Sequence, residues 1–297
     1  MTEQQHQADS VIHEDQLLNF LINALTGEFG ISIAGNGDIT PEDIYEVLVG
    51  ATADGTSIST LCDRSEDSYS GNNILYHLDT KFDLDTVKSV GNTLLREYTL
   101  ELLPEQVEIV VDFHLRPYYG DEDETDGLYY NEAKRGTTAF HAYATLYARV
   151  RNKRYTLAVR RVTHGDTASD VLAEFLGLVD DFDFEVKAVY VDSEFYDGNC
   201  LTLMQAHNHA YVMPIIKWGT KIQRELSDGW SREIEHDLTT EYGDHEWTVE
   251  FPVIRVIADF DDQYRSDATA FVRGTHGHSC SMERTFGTAR SSSKQAT

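Results

Sequence analysis

Two aspartates stand where chemistry is expected: Asp112 closes the apolar run Ile109-Val110-Val111, and Asp192 closes Val189-Tyr190-Val191. A carboxylate leaving a buried strand faces the crevice where an α/β sheet opens, and a pair there holds hard divalent cations through oxygen. Two such ions activate a nucleophilic oxygen and stabilise the leaving oxygen of a phosphodiester. Either position alone is weak, because 28 aspartates must be placed somewhere in this chain. Together they gain weight from the strands that carry them.

Between the two lies an unusual window. Residues 133–165 hold Lys134, Arg135, Arg149, Arg151, Lys153, Arg154, Arg160 and Arg161 and no acid, which is 8 of the 24 basic residues in 33 positions. In an acidic chain this reads as a track for nucleic acid beside the carboxylates. The bland reading is pairing with acids elsewhere, such as the loop Asp121 to Asp126. Tyr118, Tyr119, Tyr129 and Tyr130 flank that loop and can stack on bases or simply pack. Weaker candidates are Asp112 with His114 as a metal pair, the His207/His209 and His276/His278 tracts, and Cys200 at a helix start, where a thiol pKa can fall. No Walker A, GxGxxG, HExxH or GxSxG pattern is present.

Composition bounds the setting. The 297 residues carry 51 acids against 24 bases, a formal charge of −27, with 41% hydrophobic residues, enough for a real core. Such charge argues against nucleic acid if it is spread evenly, and for adaptation to molar salt if it is a surface trait. Arginine over lysine and aspartate over glutamate favour the second. No apolar run is long enough to span a membrane, and Cys62, Cys200 and Cys280 suit a reducing compartment. The expected setting is the cytoplasm.

The elements that must position the aspartates follow from periodicity. The first hundred residues read as helices: 13–25 carries an apolar stripe, Thr40-Pro41-Glu42-Asp43 opens another, 56–61 and 71–78 are short, and 84–98 is longer. Short helix, turn, short helix outlines a helix-turn-helix over this segment, with plain bundle packing as the alternative. From Glu105 the order becomes β (106–114), β (140–150), β (155–162), α (163–180), β (184–190), α (198–207), β (210–216). Strand patterns follow at 246–256 and 268–273, and 222–238 is ambiguous. The fold class is α/β: a ribonuclease H-like mixed sheet with a β-rich insertion, preceded by an α-helical N-terminal domain. Expected bounds are 1–104 helical, 105–217 core, 218–273 insertion and 274–297 irregular tail.

The stretches Val110 to Gly120 and Tyr190-Val191-Asp192-Ser193-Glu194-Phe195-Tyr196 resemble the haloarchaeal insertion-sequence transposases of the DDE superfamily, over roughly residues 40–273. The resemblance implies a DNA transposase in which Asp112 and Asp192 are two of three acids that bind Mg²⁺ or Mn²⁺. Its partners would be double-stranded DNA, the element's terminal repeats and the target, bound by a homodimer. The family's third acid, a Glu on a later helix, has no match after Arg273, where Glu283 is the last acid. The resemblance therefore implies a truncated or frame-shifted copy with impaired or no activity. Two alternatives stay open: a non-catalytic DNA-binding fragment that represses transposition, and another ribonuclease H-like metal-dependent nuclease.

Overall fold

A computed structural model describes residues 14–33, 38–64, 69–215, 224, 232–242, 245–256 and 269–274. Residues 275–297, with Glu283, Cys280, His276 and His278, lie outside the described residues. The chain divides into two compact units between Leu94 and Leu95.

The first unit is helical: α1 (Glu14–Phe29), α2 (Pro41–Ala53), α3 (Ile58–Arg64), α4 (Gly71–Lys81) and most of α5 (Leu84–Thr99). Local chemistry sets the starts. Thr40 caps α2 by accepting the Asp43 N–H while Asp43 accepts the Thr40 N–H, a reciprocal capping box with Pro41 just inside. Ile39, Ile44, Val47, Cys62 and Ile74 form its core. The starts of α3 and α4 approach closely, since a Cβ on Gly71 would lie 2.8 Å from the Ser59 Cα. The expected short-helix pair is therefore present, with Lys81 the one basic residue of α4.

The second unit is built on a sheet. Its strands are β1 (Gln106–Pro117), β2 (Tyr129–Lys134), β3 (Thr137–Val150), β4 (Lys153–Val162), β5 (Glu185–Val191) and β6 (Tyr211–Pro214), followed by β7 (Arg232–Tyr242), β8 (His245–Val256) and β9 (Thr269–Gly274). Strands β1, β3 and β4 pair antiparallel, and β1, β5 and β6 pair parallel, giving the order β4-β3-β1-β5-β6. That is the ribonuclease H-like mixed sheet expected from the order of elements. Two helices, α6 (Ala168–Asp180) and α7 (Gly198–Ala206), are the crossovers that parallel pairing requires. Val171, Leu172, Phe175, Leu176, Leu201 and Met204 from these helices pack on Val107, Ile109, Val111 and Val189 of the sheet. Each large side chain buried there contributes about 1.5 to 3 kcal/mol.

Two strands escaped the sequence. Strand β2 forms a hairpin with β3 through Arg135 and Gly136, both at positive φ, as a tight two-residue turn between twisted strands demands. Strand β7 begins in the stretch read as ambiguous and runs past its end to Tyr242. Through β9, which pairs with both β6 and β8, the β7 to β9 strands continue the main sheet. The β7/β8 hairpin also packs on α7: Trp247 Nε1 donates to Thr202 Oγ1 at 3.0 Å, and Gln205 Nε2 to the Glu250 carbonyl at 2.8 Å.

Candidate active site

Alternation along β1 decides which way Asp112 faces. Val107, Ile109 and Val111 are buried against the helices, so Glu108, Val110, Asp112 and His114 occupy the opposite, half-exposed face. Asp112 does not end its strand, contrary to the sequence reading. β1 runs on to Pro117 because its other edge stays paired with β3, from Asp112 opposite Thr145 to Pro117 opposite Phe140. What ends at this level is the parallel pairing with β5, whose last partners are Val111 and Val191. Asp112 and Asp192 are thus the next residues on two neighbouring central strands, at the point where those strands part.

Asp192 turns out of β5 and caps the short 3₁₀ turn Ser193–Phe195, its Oδ1 accepting the Glu194 N–H at 2.7 Å. Phe195 is fully buried and stacks on Phe113 with 4.9 Å between ring centres. That contact fastens the turn carrying Asp192 to the strand carrying Asp112. Burial is the main reason why the Asp192 carboxyl is pushed up to about 6. The Glu194 N–H works against this, the charges of Glu194 and Asp112 add to it, and Lys134 opposes it. The two aspartates therefore sense each other electrostatically.

His114 leans the same way, with Nε2 3.6 Å from Asp112 Oδ2 and 3.1 Å from Thr145 Oγ1. Glu194, in the same turn as Asp192, was not singled out in the sequence as a site residue. Its carboxylate accepts Lys134 Nζ at 2.9 Å and Asn131 Nδ2 at 3.4 Å, both from β2. The available signal was a second carboxylate two positions after Asp192; its partners came from a strand the pattern did not reveal.

Among the described residues no three His, Cys, Asp or Glu side chains converge as a ready cation cage. The donor set still fits Mg²⁺ or Mn²⁺. Both aspartates offer hard oxygens, mutual repulsion of their charges is relieved by a divalent ion, and Mg²⁺ characteristically takes one or two carboxylates and keeps several waters.

The eight basic residues do not form one track. Lys134 sits at the site. Arg160 is mostly buried and held by Asp166 (2.6 Å) and Glu174 (2.9 Å), which ties β4 to the start of α6. Arg161 donates to the carbonyls of Asp126 and Gly127, and Gly127 is at φ 71° with no room for a Cβ beneath the guanidinium. Arg135 occupies the β2/β3 turn, where its carbonyl accepts the Tyr119 hydroxyl. Arg149, Arg151, Lys153 and Arg154 lie at the β3/β4 turn. Five residues of strand separate Thr145, level with Asp112, from Val150, about 17 Å at the usual rise. The turn is at the far end of the sheet and not beside the aspartates.

The remaining described candidates have partners within the fold. Tyr118 bonds Thr125 Oγ1 at 2.6 Å, Tyr129 stacks near Phe113, and Tyr130 packs edge-on against His164. His207 and His209 both bond the Asp180 carboxylate, at 2.6 and 2.9 Å, joining the ends of α6 and α7. Cys200 is buried, and burial followed by the Asp197 charge pushes its thiol up, opposite to the lowering expected at a helix start.

No protein-family model matches the chain, and no curated protein matches it. Among solved structures, it is similar in outline to the piggyBac transposase synaptic complex with hairpin DNA, with TM-score 0.45, 11% identity, and coverage of 88% of this chain and 58% of that one. It thus spans less than two thirds of that transposase. Endonuclease V from Ciona intestinalis, in complex with a 24mer DNA containing an inosine followed by a ribo-adenosine, gives TM-score 0.28 and 11% identity over 65% of this chain and 84% of that one. The human endonuclease V catalytic domain gives 0.28 and 10% over 65% and 82%.

Proposed function

We propose that the chain is a divalent-metal-dependent DNA-cleaving enzyme of the transposase type, with Asp112 and Asp192 as its metal-holding acids. One observation carries this reading. The parallel pairing of β1 and β5 stops at Val111 and Val191, and both following residues are aspartates, one of them pushed up to about 6 in part by the other. Carboxylates so placed repel each other and are costly to keep unless a cation is meant to lie between them.

Mg²⁺ or Mn²⁺ bound by these two residues would supply activation of the attacking oxygen and stabilisation of the leaving oxygen in phosphodiester cleavage. The protein's own part is positional. The Glu194 N–H fixes one oxygen of Asp192, and the other would be the one to meet the cation. His114 stands beside Asp112 and is itself held by Thr145 Oγ1. Lys134 brings an ammonium to the rim, where it can exchange Glu194 for a non-bridging phosphate oxygen. In the transposase form of this reading the helical first unit contacts DNA, the substrate is the element's terminal repeats and then the target, and two copies act together.

The test is Mn²⁺-dependent nicking of a labelled duplex carrying the element's end, beside a scrambled duplex. Weak end-specific nicking that disappears in Asp112→Asn and in Asp192→Asn is the expected result. Nicking of both duplexes alike points to the general nuclease, and binding without nicking to the non-catalytic repressor. Wild-type nicking in either variant refutes the assignment.

A further inference from the structure

The β3/β4 turn lies at the opposite end of the strands from Asp112 and has a chemistry of its own. Arg151, Lys153 and Arg154 are exposed there, and Arg151 lines a cavity of about 540 Å³ together with exposed Lys187 of β5, Arg149, Glu105 and Glu108. Glu108 is already neutralised by Arg149 at 2.9 Å. Among the described residues Arg151, Lys153, Arg154 and Lys187 make no ion pair, in a chain where acids outnumber bases 51 to 24. With acids in such excess, four bases without a carboxylate partner point to a partner outside this unit.

The turn itself is built at a local cost. Val150 pairs with Lys153, leaving a two-residue turn in which Arg151 is at φ 56°. Glycine or asparagine fills that left-handed position more easily than an arginine does. The tyrosines nearby are not open platforms: the Arg154 guanidinium lies 5.1 Å over the Tyr147 ring and that of Arg149 lies 5.4 Å over Tyr190. Point charges with no free aromatic face suit backbone phosphates and not unstacked bases.

We infer that this edge is a phosphate-backbone contact for duplex DNA, separate from the segment that the aspartates engage. The inference rests on the proposed DNA substrate. It adds a second contact about 17 Å along the strands from the cut, with Arg151, Lys153 and Arg154 as the grip. Its contribution is sequence-independent and dies with salt, because it works by releasing counterions.

The experiment uses the full chain with Asp112→Asn and Asp192→Asn, so that DNA is bound and not cut. Its affinity for an arbitrary fluorescent duplex is measured by anisotropy from about 0.1 to about 1 M KCl. Adding Arg151→Asn, Lys153→Gln and Arg154→Gln should lower the slope of log K against log salt by about 2.7, on the order of 100-fold or more in affinity at 0.1 M. Arg151→Asn retains the turn, and a circular-dichroism melt no lower than the parent's shows that the fold is kept. An unchanged slope overturns the inference, as does tighter binding of the single strand than of the duplex, or no duplex binding by the parent. A lowered slope, where the chain with native aspartates shows no metal-dependent nicking, leaves this contact standing and removes the proposed enzyme.

Discussion

Replacing Asp192 with asparagine should make the metal-free protein more stable at neutral pH, not less. The carboxyl titrates at about 6 in the fold against an ordinary 3.8, so the folded chain binds the proton more tightly than the unfolded one. Its favourable contribution is fully present below pH 3.8 and is lost as pH rises through 6. The gap is worth about 3 kcal/mol at roughly 1.4 kcal/mol per tenfold, and water reaching the crevice brings it to about 2 kcal/mol. Asparagine has no charge to lose and keeps an oxygen for the Glu194 N–H. Urea unfolding in EDTA should therefore show Asp192→Asn more stable than wild type by about 2 kcal/mol near pH 7.5, with equal m-values, and by only about a third of that near pH 4.5, where the unfolded carboxyl is already mostly ionised. Mn²⁺ should reverse the order by stabilising the wild type alone, by about 2.7 kcal/mol at a hundredfold excess over Kd. A variant no more stable than wild type near pH 7.5, or a gap that does not change with pH, refutes the reasoning.

Phe195→Ala removes the ring that fastens the Asp192 turn to β1. It should cost about 3 to 5 kcal/mol in urea unfolding and weaken Mn²⁺ binding in titration calorimetry of the surviving folded protein. Gly198→Ala places a Cβ 2.5 Å from that of Thr240, so α7 and β7 must separate. About 1 to 3 kcal/mol of stability should be lost in the same assay. Thr167→Ala deletes the reciprocal cap of α6 and should cost about 1 kcal/mol by thermal or urea unfolding. Arg160→Ala should cost about 2 kcal/mol while leaving the salt slope of duplex binding unchanged, because that guanidinium is already held by Asp166 and Glu174.

Apolar alternation and amphipathic spacing made most of the core legible. Strands with alternating burial such as Val186 to Val191 and the stripe Val171, Leu172, Phe175, Leu176 of α6 advertise their partners in their own sequence. Strand β2, Tyr-Tyr-Asn-Glu-Ala-Lys, sits largely exposed at an edge and has no such stripe, so its pattern did not reveal it. Strand β7 mixes Glu, His and Asp among its apolar positions and reads equally well as a polar helix. The pair Asp112 and Asp192 was visible because each follows a β-branched run, but the continuation of β1 past Asp112 is decided by β3, far along the chain. The same reason undid the single basic track. A window free of acid says nothing about acids outside it, and Glu108, Asp166, Glu174 and Glu194 are all supplied from outside.

The central claim is that Asp112 and Asp192 hold one cation site together, and a double-mutant cycle on Mn²⁺ affinity tests it without any DNA. Calorimetric titration of wild type, Asp112→Asn, Asp192→Asn and the double variant at about pH 7.5 gives the four numbers needed. Shared ligation predicts that each single variant loses most of the affinity and that the double variant loses no more than either. Two losses that simply add, or a single variant with wild-type affinity, contradict it.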